Sequence, residues 1–225
     1  MCVIITQRTL TMSKIIAICG WQGTGKDTVA DYLVNFHEFR RDSFASTLKD
    51  AVSAVFGWDR ELLEGRTKES RAWREEVDIW WANKLGMPTL TPRWVLQYWG
   101  TEVCRRGFHN NIWVASLENK LRSSKDDIVI SDCRFPNEIA TVRAAGGSVL
   151  WVQRGGLPEW YACALTENTT HEDEQYILYD HDKTMAQQYP NTHASEWAWI
   201  GTEFDHVIDN NGSIDELYNQ VKAIV

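Results

Sequence analysis

The stretch KIIAICGWQGTGKDTVA, Lys14 to Ala30, decides how the rest of the chain is read. Ile15, Ile16, Ala17 and Ile18 form a short apolar run, mostly β-branched, which suits a strand covered on both faces. Gly20-Trp21-Gln22-Gly23-Thr24-Gly25-Lys26 follows at once with the spacing G-x-x-x-x-G-K. Gly20, Gly23 and Gly25 let backbone N–H groups turn inward around a polyphosphate, Thr24 lies among them, and Lys26 reaches the outer phosphates. Asp27 to Phe36 has helical composition with Val29, Leu33 and Phe36 on one face, so the phosphates are expected at a helix N-terminus. The position after the lysine, usually a Ser or Thr that ligates magnesium, is Asp27, followed by Thr28.

The 225 residues suffice for one α/β domain with a well-buried core, or at a stretch for two small domains. A net charge of −8 disfavours a broad, sequence-independent grip on nucleic acid, which needs clustered Lys and Arg. The five cysteines are scattered, with no CxxC pair, and read as reduced thiols of a cytoplasmic protein rather than a disulfide frame or zinc site. No run approaches the roughly 18 apolar residues of a membrane span, and the N-terminus lacks signal-peptide character. Residues 1–12 read as an N-terminal extension without an assigned role, and 13–225 as a single domain. Twelve tryptophans fill cores or stack on bases, and their positions must decide which.

Outward from the loop, Phe39 to Phe44 suggests a short strand. A helix carrying Leu48, Ala51, Val52 and Val55 then ends at Gly57. In residues 58–86, Arg66, Lys68, Arg71 and Arg74 alternate with Glu64, Glu69, Glu75 and Glu76. They form either a solvated mixed-charge face or a source of one or two cations for an acceptor phosphate. Thr91-Pro92 starts the helix TPRWVLQYWGTEV, on which Arg93, Gln97, Gly100 and Thr101 share one face. A mid-helix glycine costs roughly 1 kcal/mol against Ala, so Gly100 marks either a planar ligand lying on the helix or close helix–helix packing. Ile112 to Leu121 reads as another helix. Asp127 to Asp132 is a second buried strand ending in an acid. Pro136 opens a helix through Ala145, and Ser148 to Val152 is a third strand with Arg154 just beyond it.

Residues 155–203 are polar, carry Trp160, Trp197 and Trp199, and show no sustained periodicity, as expected of a lid or insertion. Asp205 to Ile208 closes the sheet, and Ser213 with Glu216 caps the last helix. Strands alternating with helices predict an α/β fold, a three-layer parallel sheet with helices on both faces.

These pieces suit phosphoryl transfer from ATP with magnesium to a small acceptor. Lys26 holds the donor phosphates. Asp132 either binds the metal through water or orients the acceptor, and a cation between Asp27 or Asp132 and the phosphates removes their mutual repulsion. Arg93 and Arg134 are the candidates for gripping an acceptor phosphate through a guanidinium fork. No hydrolase elbow, His-Glu-x-x-His or Cys/His ligand set competes. His193 in THASE is the histidine singled out, with packing an equal reading.

The GTGKDT loop, FASTLKDAV, PRWVLQYWGTEVCRRGFHNNIW, VISDCRFPNEIATVRAAGGSVLWVQR and THASE resemble, in order and spacing, the deoxynucleoside monophosphate kinases of tailed bacteriophages, P-loop kinases typified by the T-even phage enzyme. The resemblance covers nearly all of residues 13–225 and makes Asp27 a family feature. It implies ATP as donor, a deoxynucleoside 5′-monophosphate as acceptor, and a homodimer. By motif match, Arg93, Gly100, Thr101, Trp113, Asp132, Arg134 and Glu138 line the acceptor site, with Trp113 stacking on the base. Lys26, Asp27 and Thr28 serve the ATP phosphates and metal, and Arg154 lies near the adenine. Residues 155–192 are longer and richer in Trp and His than in the T-even enzyme. That departure leaves one alternative, a related phage kinase acting on 5-hydroxymethyluracil in DNA. A separate class of reading, a nucleotide-dependent switch protein without a small acceptor, would lack a cationic acceptor pocket, so Arg93 and Arg134 argue against it.

Overall fold

A computed structural model describes residues 13–169 and 184–225. The N-terminal extension and residues 170–183 of the expected lid lie outside the described residues. In chain order the elements begin with β1 (Ile15–Cys19), α1 (Lys26–His37), β2 (Arg40–Asp42), α2 (Ser46–Phe56), α3 (Arg60–Glu64), α4 (Lys68–Trp73) and α5 (Ile79–Leu85). They continue with α6 (Pro92–Tyr98), a π-helical segment (Trp99–Arg106), α7 (Ile112–Ser123), β3 (Ile128–Ile130), α8 (Pro136–Ala144) and β4 (Ser148–Gln153). Last come α9 (Tyr161–Thr169), α10 (Met185–Gln188), a 3₁₀ turn (Ala194–Glu196), β5 (His206–Asp209) and α11 (Ile214–Lys222).

The strands form one parallel sheet in the order β2-β3-β1-β4-β5. β1 is central: Ile16 lies opposite Val129 of β3 and Ser148 of β4, and all five β1 residues are buried. The unbroken apolar run is therefore what a strand flanked on both edges and covered on both faces requires. The chain leaves β1 toward β2 on one side and leaves β4 toward β5 on the other. A crevice opens at the carboxyl ends of such a pair, where open α/β sheets bind ligands.

The chain divides into two compact units, the described residues up to Asp42 with Arg122–Val225, and Ser43–Leu121. In the first, alternation along β1 sends Ile16 and Ile18 toward Val29, Ala30 and Leu33 of α1 and Leu217 and Val221 of α11. Tyr32 and Tyr218 stack at 4.2 Å between those helices. On the other face, Gly147 sits so close to Ile15 and Val142 that a Cβ would be 2.7 Å from the Val142 side chain, bringing α8 tight against the sheet. α11 carries the expected capping box: the Ser213 N–H donates to Glu216 Oε2 at 2.7 Å and Ser213 Oγ accepts from Glu216 N–H. Phe36 departs from its expected place. It is exposed in the last turn of α1, beyond the sheet, with its ring along Tyr32 rather than in the core.

The Ser43–Leu121 unit has its own core of Leu48, Val52, Trp58, Leu63, Leu90 and Val95, with Phe56 stacked on Trp58 at 4.4 Å. The expected mixed-charge helical face of 58–86 is instead three short helices. Trp58 is buried, its indole N–H bonded to Asp78 Oδ2 at 2.7 Å. Lys49 and Arg60 both grip Glu64. Burial alone would raise that carboxyl, yet the two cations hold it at about 2. Val55 points outward although its spacing matched the buried Leu48 and Val52. The expected strand over Phe39 to Phe44 contracts to Arg40–Asp42. The four cysteines among the described residues are all free thiols. Among the described residues no helix is long and apolar enough to cross a membrane.

Candidate active site

The loop after β1 is built on backbone that side chains rarely adopt, with φ +144° at Gly20, +83° at Gly23 and +103° at Gly25. At Gly20 a Cβ would lie 2.6 Å from the Val152 carbonyl oxygen of β4, so only glycine fits there. Lys26 Nζ turns back over the loop and donates to the carbonyls of Gly20 and Trp21, both at 2.6 Å. Thr24, buried, donates from Oγ1 to the Trp21 carbonyl at 3.0 Å. Asn210, just past β5, donates from Nδ2 to the Thr24 carbonyl at 2.7 Å and ties the loop to the far side of the sheet.

Burial, and then the neighbouring Arg134 guanidinium, lower Lys26 to about 8, against the opposing pull of Glu196 and Asp27. The ammonium is thus the charged form below about pH 8 and is lost as pH rises through that value. The kcat/KM for the phosphate donor is expected to fall above pH 8, since this parameter reports the free enzyme, and kcat is expected to fall less. A pH–rate profile checks this; a flat kcat/KM between pH 7 and 9.5 contradicts it.

Asp27, at the start of α1, is exposed and paired with Arg41, whose Nη1 lies 3.6 Å from Asp27 Oδ1. Arg41 also donates to the Asp27 carbonyl at 3.0 Å and pairs with Asp31 at 3.3 Å. Ser131 Oγ approaches Asp27 Oδ1 at 3.5 Å, so the start of α1 meets the end of β3. Past β3, the Arg134 side chain turns to Ser195 Oγ and Glu196 Oε1, each at 3.3 Å. Glu138 is buried, and its Oε2 accepts the backbone N–H groups of Arg134 (2.8 Å) and Phe135 (3.2 Å), opening α8. It fixes the loop that carries Arg134. Asp132 is half-buried in this loop, Arg154 is exposed one residue past β4, and Thr28 is half-buried in the first turn of α1.

In the Ser43–Leu121 unit, the Thr91 hydroxyl caps α6 by accepting from Trp94 N–H at 3.1 Å, as the sequence predicts. Gln97 is exposed and Arg93 half-exposed on this helix. The single helix expected through Val103 instead widens into the π-helical segment, whose extra residue per turn shifts the register of one face. Thr101 is exposed, whereas Gly100 turns inward against Leu48, 2.8 Å from where a Cβ would stand. Close packing, one of the two readings of that glycine, is thus its role. Trp113 is also a core ring, 7% exposed, with its N–H on the Gly100 carbonyl at 3.0 Å. That leaves little of its face exposed for the expected stacking on a base. Arg93 pairs with Glu75, and its N–H donates to the Arg74 carbonyl at 2.9 Å. The Arg74 guanidinium is shifted below its ordinary value, first by burial and then by the charges of Arg93 and Arg71, and its buried Nε–H has no partner among the described residues.

The family model described as deoxynucleotide monophosphate kinase matches residues 69–191, more than half of the chain. The chain belongs to this family. Three relatives agree with it. A protein of Acanthamoeba polyphaga mimivirus, provisionally named a deoxynucleotide monophosphate kinase, is 27% identical across 94% of this chain and 95% of its own. The deoxynucleoside-5′-monophosphate kinase of Escherichia phage T5 is 28% identical over 56% of this chain and 70% of its own. The deoxynucleotide monophosphate kinase of Enterobacteria phage T4 is 22% identical over 93% and 97%.

Of the residues expected to serve this kinase, Gly20, Gly23, Thr24, Gly25, Lys26, Asp27 and Thr28 gather on one loop and helix start, and Asp132 and Arg134 lie at the sheet end beside it. Arg41, Asn210 and Glu196 join them without having been anticipated. Their signal is weak: Asn210 directly follows the short strand β5, and Arg41 lies within the three-residue strand β2. Only the strand order, invisible in the sequence, makes that position meaningful.

Proposed function

We propose that this kinase moves the γ-phosphoryl group of ATP to the 5′-phosphate of a deoxynucleoside monophosphate, giving ADP and the deoxynucleoside diphosphate. The observation that carries the reading is the glycine loop with Lys26 folded over it, in a chain that belongs to a kinase family. Inward N–H groups and one cation suit the β- and γ-phosphates. The acceptor brings a second phosphate, and the group of Arg71, Arg74 and Arg93 offers the cations to hold it, with Arg74 Nε–H a buried donor needing an acceptor. Asp132 is the candidate for orienting the acceptor oxygen, and Arg134 for offsetting charge on the transferred group.

Magnesium suits the same reading. Among the described residues no group of three or more His, Cys, Asp and Glu makes a metal cage. Magnesium bound chiefly through nucleotide phosphates needs only one or two protein groups, and the exposed Asp27 carboxylate, with Thr28 beside it, fits that need. When bound, the ion would neutralise the phosphates and relieve their repulsion with Asp27.

ATP consumption measured with each deoxynucleoside monophosphate, and with 5-hydroxymethyluracil DNA, tests the reading. Consumption stimulated by one or more free monophosphates is expected; stimulation by the DNA alone would move the acceptor to a polymer. Within this assay, Arg93→Ala should raise the acceptor KM about tenfold, the lower end for a charge-assisted bond at a half-exposed site, with little change in kcat. An unchanged KM removes Arg93 from the acceptor site.

A further inference from the structure

The THASE turn is a part of this unit that the phosphoryl-transfer scheme does not use. His193 caps the 3₁₀ turn, its Nδ1 accepting the Ser195 N–H at 3.2 Å, and this places Ser195 and Glu196 at the mouth of the phosphate loop. There Glu196 is held by two donors, one on each carboxylate oxygen. Oε2 accepts the backbone N–H of Gln22, inside the glycine loop, at 3.3 Å, and Oε1 accepts Arg134 Nη1 at 3.3 Å. Lys26 also feels its charge. A backbone N–H of the loop, a guanidinium and a lysine are the donors a nucleotide phosphate needs, and a carboxylate already engages two of them.

We infer that Glu196 is an internal competitor of the nucleotide phosphates: its carboxylate must leave the Gln22 N–H and Arg134 before the outer phosphate takes them. Two anions brought to the same loop N–H and the same guanidinium nitrogen repel each other, so the phosphate and Glu196 compete for these donors. The exchange also moves Arg134 from a resting partner to the phosphate, which makes Glu196 a positioning residue for Arg134 rather than a catalytic one. The argument rests on the loop being the ATP site, as proposed above.

Magnesium–ATP binding by calorimetry separates the two claims. Glu196→Gln keeps the shape and removes the charge, and Glu196→Ala removes the side chain, so either variant alone can carry the test. Each is expected to bind magnesium–ATP about tenfold more tightly than the parent and to lower the KM for ATP to a similar degree, the difference between a charged and a neutral hydrogen-bond competitor. A merely structural Glu196 predicts the opposite sign, because losing its bonds would loosen the turn and weaken binding. Unchanged or weaker binding in both variants, with Lys26→Ala still weakening binding, overturns the inference. Lys26→Ala binding ATP as the parent does would instead refute the loop as the ATP site.

Discussion

Lys26→Ala should yield a folded kinase whose kcat/KM for ATP is down by about 10²- to 10³-fold, the usual cost of removing one preorganised group that faces developing charge. The loss is expected in chemistry rather than folding. Among the described residues the Lys26 ammonium bonds to the carbonyls of Gly20 and Trp21 within its own loop, and its lowered pKa of about 8 means that the fold disfavours its charge. Removing it therefore relieves a desolvation cost about as it removes two hydrogen bonds. A thermal melt within a few degrees of the parent, beside steady-state kinetics, checks both halves; a large drop in melting temperature would show the lysine to be a structural strut.

Gly20→Ala should be the most damaging of the loop glycine changes, costing roughly 2–5 kcal/mol of stability and nucleotide binding with it. Two terms add. The backbone is at φ +144°, and the new methyl would meet the Val152 carbonyl of β4 at 2.6 Å and Thr24 Oγ1 at 2.8 Å. The carbonyl belongs to a strand paired on both edges and cannot retreat. Gly23→Ala is the control: φ is +83°, but nothing lies within 4 Å of the added carbon, so only the left-handed backbone term of about 1–2 kcal/mol remains. Denaturant titration of both variants separates the terms; equal losses would show that the close approach to β4 is unimportant.

The parts of the fold that the sequence revealed are those whose cause is local. β1, the glycine loop and the start of α1 were legible because an unbroken apolar run, a spacing motif and a helical stripe each act within a few residues. The caps at Thr91 and Ser213 were legible for the same reason. The middle of the Ser43–Leu121 unit was not, because Trp58 projects from the connection before α3, and α3, α4 and α5, with 5, 6 and 7 residues, are too short to show a period. The π-helical segment was equally hidden: composition does not announce an extra residue per turn, and without it Gly100 was assigned to the same face as Arg93. In the site, the loop was visible, but its closure was not. Asn210 reaches Thr24 across 186 residues and Glu196 reaches Gln22 across 174. The aromatic group of Trp21, Trp151 and Trp199, with centroids 5.5–5.7 Å apart, likewise draws on three distant segments, including one where no periodicity was found.

The most direct test of the account is phosphorus NMR of the purified protein with magnesium–ATP and each of the four common deoxynucleoside monophosphates. The account predicts that for at least one acceptor, ADP and the deoxynucleoside diphosphate form in equal amounts while ATP and the monophosphate decline together. ATP left intact with every monophosphate, or hydrolysed to inorganic phosphate at a rate no monophosphate changes, would contradict it.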